Sequence, residues 1–380
     1  MEGTEVVSTA PSTGMGAALN AASPIRGLTG PNPWVGAAIV SEGRVVAYGA
    51  TEPPPGRHAE RVALEAAGSL ARGATLYCTL EPCAPFEGKR TPPCSDAIID
   101  AGVAAVVVAL EDPDVRVAGA GIARLRSAGV EVQTGDGALA ATRQLRPYLK
   151  HRETGLPYVI AKFAASLDGR IATASGDSKW ITGDAARARV HEERARVDAI
   201  ITGSGTVLAD DPALTARPGG RVAIRQPLRV IVDARGRTPL TARTLAEPGK
   251  VVVATVRESD AAWRSDLVAA GAEVILLEPG ATGVNLYQLF QALGRRGILS
   301  AWIEGGASLL GSVFDEDLAD EVWAFIAPRL IGGDGLPAIG GFGASTLASA
   351  PTLHEVLSER IDDDILIRGY TGRWQPMTLR

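Results

Sequence analysis

A chain of 380 residues, 46% hydrophobic and 21% charged, has the length for two cores and the balance of an ordinary globular protein, which excludes fibrous and disordered classes. Its formal net charge of -5 gives no general attraction for nucleic-acid phosphates, so no nucleic-acid partner is expected. The start, Met1-Glu2-Gly3-Thr4-Glu5, lacks the basic opening and apolar run of a secretion signal. The longest apolar stretch, Ala101 to Leu110, is about half of what a bilayer-spanning helix needs, so a cytoplasmic chain with no membrane segment is expected. Cys78, Cys83 and Cys94 are too few and too clustered for a disulfide framework and point to a metal site instead.

Taken in chain order, the segment up to about Thr13 is small and polar and is expected to be a tail. Val35 to Val40 and Val45 to Gly49 predict paired strands, followed by a helix over His58 to Gly68 and a strand over Ala74 to Leu80. A helix from near Cys94, a strand over Ala104 to Leu110, a helix over Gly119 to Ala128 and a strand over Val130 to Thr134 complete an α/β sheet covered on both faces. Ala138 to Lys150 has helical spacing, and the polar run His151 to Pro157 suits a boundary. A first domain over 14–153 and a second over 154–372 are therefore expected. The second half predicts strands at Tyr158 to Ala165, Ala199 to Thr202, Leu228 to Asp233, Val251 to Val256, Glu273 to Leu277, Ser300 to Glu304 and Glu321 to Ile326. Helices are predicted at Ala185 to Arg196, Leu286 to Arg295 and Ala307 to Phe314, giving a second α/β domain.

The first chemical constellation is His58, Cys83 and Cys94, one imidazole and two thiolates. Three protein ligands leave a fourth zinc position open for water, as catalysis requires, whereas a structural zinc closes its tetrahedron with a fourth residue. Bound zinc brings the pKa of its water toward neutrality. Glu60, two positions after His58, is the candidate proton shuttle, serving ring nitrogen and departing amine in turn. His-x-Glu with a later Pro-Cys pair is the signature of zinc nucleobase deaminases, although there the cysteines stand two residues apart and here ten residues separate Cys83 from Cys94. Cys78, inside an apolar strand, is expected to be a buried small hydrophobe. The rival reading, a zinc-stabilised binding module, is opposed by the missing fourth ligand and by Glu60.

Pro31-Asn32-Pro33-Trp34-Val35-Gly36, His58-Ala59-Glu60, Thr79-Leu80-Glu81-Pro82-Cys83 and Arg90-Thr91-Pro92-Pro93-Cys94, in this order, closely resemble the deaminase domain of bifunctional riboflavin biosynthesis proteins. The resemblance implies a cytidine-deaminase-like α/β/α fold, zinc on His58, Cys83 and Cys94, Glu60 as proton donor, and Asn32 lining the pyrimidine pocket. The chain departs from that family at Ala84 and Pro85, where Ser or Asn and then His is usual, in a loop about two residues longer, and at Thr51, where many members carry His.

The second constellation lies on turns beside predicted strands: Ser166 to Arg170, Ser178 to Gly183, Gly203 to Pro212, and Glu304 to Gly311 leading into a helix. No Gly-x-Gly-x-x-Gly follows a strand, so a Rossmann domain is not supported. The combination resembles the riboflavin reductase domain, which implies a dihydrofolate-reductase-like α/β fold and NADPH as cofactor. By that resemblance Ala164, Trp180, Thr206, Asp210, Gly306, Ala307, Ser308, Leu309, Leu310 and Gly311 are NADPH contacts, and Ser178, Arg194, Leu214, Arg217 and Glu304 are substrate contacts. Two arginines suit a ribose phosphate, and Glu304 suits sugar hydroxyls. Arg194 also has a plainer reading, as part of a solvated ion-paired face on a helix rich in Arg and Glu, and Lys162 is placed near the reacting sugar. Together the two resemblances imply deamination of a phosphorylated diaminopyrimidinone, then NADPH-dependent reduction of its ribosyl group to ribityl, in a homo-oligomer. The altered Cys83 to Cys94 loop leaves open a reductase with a weakened deaminase.

Overall fold

Ser12 starts the first helix, α1 (Thr13–Ala22), its hydroxyl accepting a hydrogen bond from the Met15 amide at 3.2 Å. The expected elements do not include this helix, because an Ala- and Gly-rich segment has little amphipathic contrast and its cap is a single residue. The computed structural model describes residues 12–85, 87, 92–281 and 283–377. The segment expected to be a tail, before Ser12, and Arg90 and Thr91 of the motif leading to Cys94 lie outside the described residues. The chain divides into two compact units, one running to Thr154 and joined by the segment from Gln375, the other spanning Gly155–Trp374.

In the first unit β1 (Gly36–Ser41) and β2 (Arg44–Ala50) form the expected antiparallel pair. They are followed by α2 (Ala59–Ala67), β3 (Thr75–Cys78), α3 (Cys94–Asp100), β4 (Ala105–Val108), α4 (Ala120–Ser127), β5 (Glu131–Thr134) and α5 (Ala138–Thr154). The sheet runs β2-β1-β3-β4-β5, with β3, β4 and β5 parallel and β1 antiparallel to both neighbours. β4 is shorter than its apolar run, because Ala101 still caps α3 and Gly102 turns the chain with φ +70°. Helix α5 continues four residues past Lys150, since no breaker intervenes before Gly155 and Pro157.

Helices cover both faces of this sheet, and two glycines make that approach possible. A Cβ on Gly36 would lie 1.8 Å from the Ala18 carbonyl oxygen of α1, and one on Gly49, whose register partner is Ala37, 2.5 Å from the Ala63 amide of α2. Adjacent positions along β1 thus face opposite layers, as strand alternation requires.

In the second unit the chain forms β6 (Tyr158–Ser166), β7 (Arg170–Ala172), α6 (Asp184–Arg194), β8 (Ala199–Gly203), α7 (Ser204–Asp210), β9 (Leu228–Val232), α8 (Arg243–Ala246), β10 (Val251–Val256), α9 (Ala261–Ala269) and β11 (Glu273–Leu277). Short arms β12 (Pro279–Gly280) and β13 (Gly283–Val284) precede α10 (Leu286–Gly294), β14 (Ser300–Ile303), α11 (Ala307–Asp315), β15 (Glu321–Ala327), β16 (Leu336–Pro337), β17 (His354–Ile361) and β18 (Asp364–Tyr370). The main sheet runs β11-β10-β9-β8-β14-β6-β15-β18-β17, parallel through β15 and antiparallel over the last two strands. Its inner parallel strands, such as β8, β10 and β14, are largely buried on both faces and therefore appear in sequence as unbroken apolar runs, whereas β11 at the edge is partly exposed. Val159, Ala161, Leu289 and Leu310 share one core, while Tyr158, Ile160, Val190 and the edge-on pair Trp302 and Trp323, 5.4 Å apart, share the other. The expected strands omit β17 and β18, because β17 is exposed along nearly its whole length and shows no apolar alternation. Among the described residues no helix is long and apolar enough to cross a membrane.

Gly36→Ala should force α1 off the sheet and destabilise the first unit by roughly 1–3 kcal/mol, read as a lower chemical-denaturation midpoint. A midpoint equal to wild type would show that α1 is not held at this distance.

Candidate active sites

His58 occupies the N-cap of α2 with extended backbone, Cys94 is the first residue of α3, and Cys83 lies on the turn beyond β3. The three side chains meet: His58 Nδ1 is 3.5 Å from Cys83 Sγ and 3.4 Å from Cys94 Sγ, and all three donor atoms lie within 4.8 Å of one another. Tetrahedral zinc with S and N ligands at its usual bond lengths sets an N to S separation of about 3.5 Å, so the donor set fits a zinc ion. Hydrogen bonding from Cys94, with the His58 ring next to it, holds the Cys83 thiol far below the ordinary range, at about 3, which favours the thiolate a metal requires. Glu60, in the first turn of α2, is buried beside the three donors, and burial pushes its carboxyl above the usual range. His58, Glu60, Cys83 and Asn32 face a cavity of about 440 Å³. Cys78 is fully buried with its thiol toward the Val107 carbonyl, outside the group.

The turn that carries Cys83 is anchored by a residue whose role the sequence does not disclose. Glu81 accepts four backbone N–H bonds, from Asp112 at 3.2 Å, Gly119 at 2.9 Å, Gly121 at 2.8 Å and Ile122 at 3.1 Å, the last two in the first turn of α4. A carboxylate there satisfies otherwise unpaired helix-start donors and complements the helix dipole. The cavity wall also holds Asp112, Asp114, Arg116, Tyr148 and Arg152, none of which was singled out from sequence. They come from the loop after β4 and from α5, so only folding brings them beside Cys83.

In the second unit Arg194 and Glu304 meet as a buried bidentate pair: Nε to Oε1 at 2.7 Å and Nη2 to Oε2 at 2.6 Å. Arg194 Nη1 also donates to the Thr215 carbonyl at 3.1 Å, so Arg194 does not belong to a solvated helix face. Trp302 donates to Glu304 Oε1 at 2.7 Å, and Lys162 Nζ stands 4.0 Å from Oε2. Burial alone would raise the Glu304 carboxyl, but Arg194 and Lys162 overcome it and hold it at about 2, while burial lowers Lys162. Arg217 lies 3.4 Å from His191 Nε2, and burial with Arg194 and Arg217 nearby depresses that imidazole to about 4.

The other expected positions are distributed as follows. Ser178 Oγ donates to Asp210 at 3.4 Å, and the Gly306 amide donates to Thr206 Oγ1 at 3.0 Å, so two pairs of the expected contacts touch each other. Trp180 is exposed, with the Arg187 guanidinium 4.6 Å over its ring. Ala164 sits partly buried on β6. Gly306 caps α11, which Ala307, Ser308, Leu309, Leu310 and Gly311 open, but the Leu309 and Leu310 side chains enter the core and a Cβ on Gly311 would meet Gly340 at 2.4 Å. Leu214 is likewise buried, with φ +52°. At Leu214, Leu309 and Leu310 only the backbone is left to meet a ligand.

Residues 157–367, more than half of the chain, match the family model of the RibD C-terminal domain, and residues 9–110 match the cytidine and deoxycytidylate deaminase zinc-binding region. The riboflavin biosynthesis protein RibD of Escherichia coli is 40% identical over 347 residues, covering 89% of this chain and 93% of that protein. The chain belongs to the RibD family. Among solved structures, RibD from Acinetobacter baumannii superposes with a TM-score of 0.84 at 40% identity, covering 94% of this chain and 97% of that one. A Thermotoga maritima protein described as a diaminohydroxyphosphoribosylaminopyrimidine deaminase and 5-amino-6-(5-phosphoribosylamino)uracil reductase gives 0.82 at 34% identity, covering 94% and 97%. As a RibD-family member the chain is a bifunctional deaminase and reductase of riboflavin biosynthesis, with a cytidine-deaminase-like first domain and a reductase domain after it.

Two outcomes follow for this RibD-family chain. Glu81→Ala strands four amides and should destabilise the first unit by about 3 kcal/mol, with loss of bound zinc, while NADPH oxidation by the second unit persists. Retained zinc and an unchanged denaturation midpoint would remove Glu81 from the support of the site. Arg194→Gln should let burial raise the Glu304 carboxyl, so that substrate affinity in the reductase falls as pH drops from about 8 to about 5, where wild type stays flat in this group. A flat KM profile in the variant would show that Arg194 does not set the charge on Glu304.

Proposed function

We propose that residues 14–153 hydrolytically deaminate diaminohydroxyphosphoribosylaminopyrimidine and that residues 154–372 reduce the resulting 5-amino-6-(5-phosphoribosylamino)uracil with NADPH, the pair of reactions named for the Thermotoga maritima protein. The observation that carries the reading is the meeting of His58, Cys83 and Cys94 beside the buried Glu60 on one cavity. These three residues would hold zinc, whose Lewis acidity would make water a nucleophile near neutral pH. Glu60 takes the proton that water loses on attacking the amidine carbon and passes it to the ring nitrogen; it then takes the remaining proton from the hydroxyl on the tetrahedral carbon as the carbonyl forms and delivers it to the amino group, which leaves as ammonia as the C–N bond breaks. Asn32 orients the pyrimidine at the same cavity.

In the reductase NADPH supplies the hydride, and the chain orients donor and acceptor. Ala164, Trp180, Thr206, Asp210 and the backbone of Gly306 to Gly311 hold the cofactor. Ser178, Arg217, Glu304 and the Leu214 backbone hold the substrate. Three of the N–H donors on Arg194 are already committed to Glu304 and Thr215, so Arg194 acts first on Glu304 and Arg217 takes the larger share of the phosphate. The proposed assembly is a homo-oligomer and the proposed compartment the cytoplasm, both on the resemblance of the chain to its family.

Ammonia release and NADPH oxidation, followed separately, test the reading. Ammonia should appear without NADPH. Glu60→Gln should keep its zinc and lose roughly 10²- to 10⁴-fold in deamination. Deamination at full rate by Glu60→Gln, or zinc and activity both kept by Cys83→Ala, would contradict the assignment.

A further inference from the structure

Arg217, proposed above to grip the substrate's phosphate, is itself held by one neighbour. It opens the short turn Pro218–Gly220, which packs against α6, and its Nη2 lies 3.4 Å from His191 Nε2. Among the described residues its guanidinium makes no other hydrogen bond. The contact with His191 therefore sets the direction in which the fork points, and it leaves most of the fork's donors for a ligand. Every nitrogen of a guanidinium is a donor and none accepts, so the contact requires a lone pair on His191 Nε2. His191 is accordingly neutral, with its one proton on Nδ1, which is shut away from solvent.

The charges around the imidazole explain why it carries no second proton. Arg194, three residues on and so on the same side of α6, faces it from its own helix, Arg217 from the turn, and Glu304 from just beyond β14. Lys162 of β6 stands against that same Glu304. Three cations thus surround one carboxylate, and Arg194 already engages both of its oxygens. Burial, then Arg194 and Arg217, hold the His191 imidazole at about 4, against the smaller pull of Glu304 and of the Thr215 backbone. Negative charge is what this end of the site lacks, and a phosphate monoester brings about two units of it. Such an anion against Arg217 cancels the repulsion that keeps the proton off His191.

We propose that His191 is a binding residue of the reductase site with two states: neutral in the free protein, its Nε2 lone pair aiming Arg217, and protonated once the substrate's phosphate lies against both side chains, so that binding takes up a proton. This rests on the reductase reading above, in which Arg217 meets the phosphate. The proton comes from solvent, because the phosphate of the free substrate is largely dianionic above a pH of about 6.5. It goes to Nε2, which changes from acceptor to donor and gives its N–H to a phosphate oxygen, while Arg217 turns the N–H that met His191 to the same anion. A group that gains a proton on binding strengthens the complex at lower pH, and that contribution is lost as pH rises.

The test measures binding of 5-amino-6-(5-phosphoribosylamino)uracil to the full chain, with oxidised NADP in place of NADPH so that no reduction occurs, by calorimetry in two buffers of different ionisation enthalpy. At a pH of about 7 wild type should take up roughly 0.3 to 1 proton per substrate bound, and its affinity should rise about threefold to thirtyfold between pH of about 8 and about 6.5. His191→Gln, whose amide oxygen still accepts from Arg217 but takes no proton, should bind about threefold more weakly, with no uptake and no rise. His191→Leu loses the lone pair as well and should bind ~10-fold more weakly or worse. NADPH binding within about twofold of wild type in both variants reports an intact second unit. Wild type that takes up no proton, or uptake that persists in His191→Gln, would overturn the role of His191. Arg217→Gln that binds substrate as tightly as wild type would instead fail the reductase reading on which that role depends.

Discussion

Three donor atoms drawn from two helix starts and one strand-end turn must come within 4.8 Å of each other, and the first unit is arranged to meet that requirement. Placing His58 at an N-cap lets its ring stand clear of α2 while fixing the backbone that aims it. Placing Cys94 at the first position of α3 points its thiol at the same spot, and its amide lies 3.4 Å from Cys83 Sγ. Glu81 closes the arrangement by tying the strand-end turn to the start of α4 through the Gly119, Gly121 and Ile122 amides and to the loop after β4 through the Asp112 amide. Because Glu60 is on α2 two residues from His58, the geometry that brings the three donors together also places the Glu60 carboxyl beside them.

The second unit solves a different problem with the same economy of residues. Burying Glu304 is costly unless its charge is matched, and Arg194, Lys162 and Trp302 match it from three separate elements. The resulting charged cluster is fixed in direction and stays ionised. His191, depressed to about 4, is neutral there and adds no competing charge.

What could be seen from sequence follows from which forces leave local traces. Apolar runs mark the buried strands β6, β10 and β14, and period-3.6 patterns mark helices such as α2 and α11. β17 leaves no trace because neither of its faces is buried, and α1 leaves little because Ala and Gly supply packing without contrast. At the sites, His58, Glu60, Cys83 and Cys94 are recognisable because zinc chemistry restricts residue types. Glu81 and Arg194 are different: a Glu followed by Pro-Cys, or an Arg on a charged helix, has many uses, and only the fold shows which amides or carboxylate it meets. The Asp112, Tyr148 and Arg152 group was hidden for the same reason, being assembled from a loop and a distant helix.

The central claim is that each unit carries its own complete chemistry, with zinc needed by one alone. Chelation of purified protein to below about one zinc per ten chains, then separate assay of both reactions, tests this most directly. The account predicts that ammonia release collapses and returns on adding zinc, while NADPH oxidation with the deaminated substrate stays near its starting rate. Deamination that survives metal removal, or reduction that fails with it, would contradict the account.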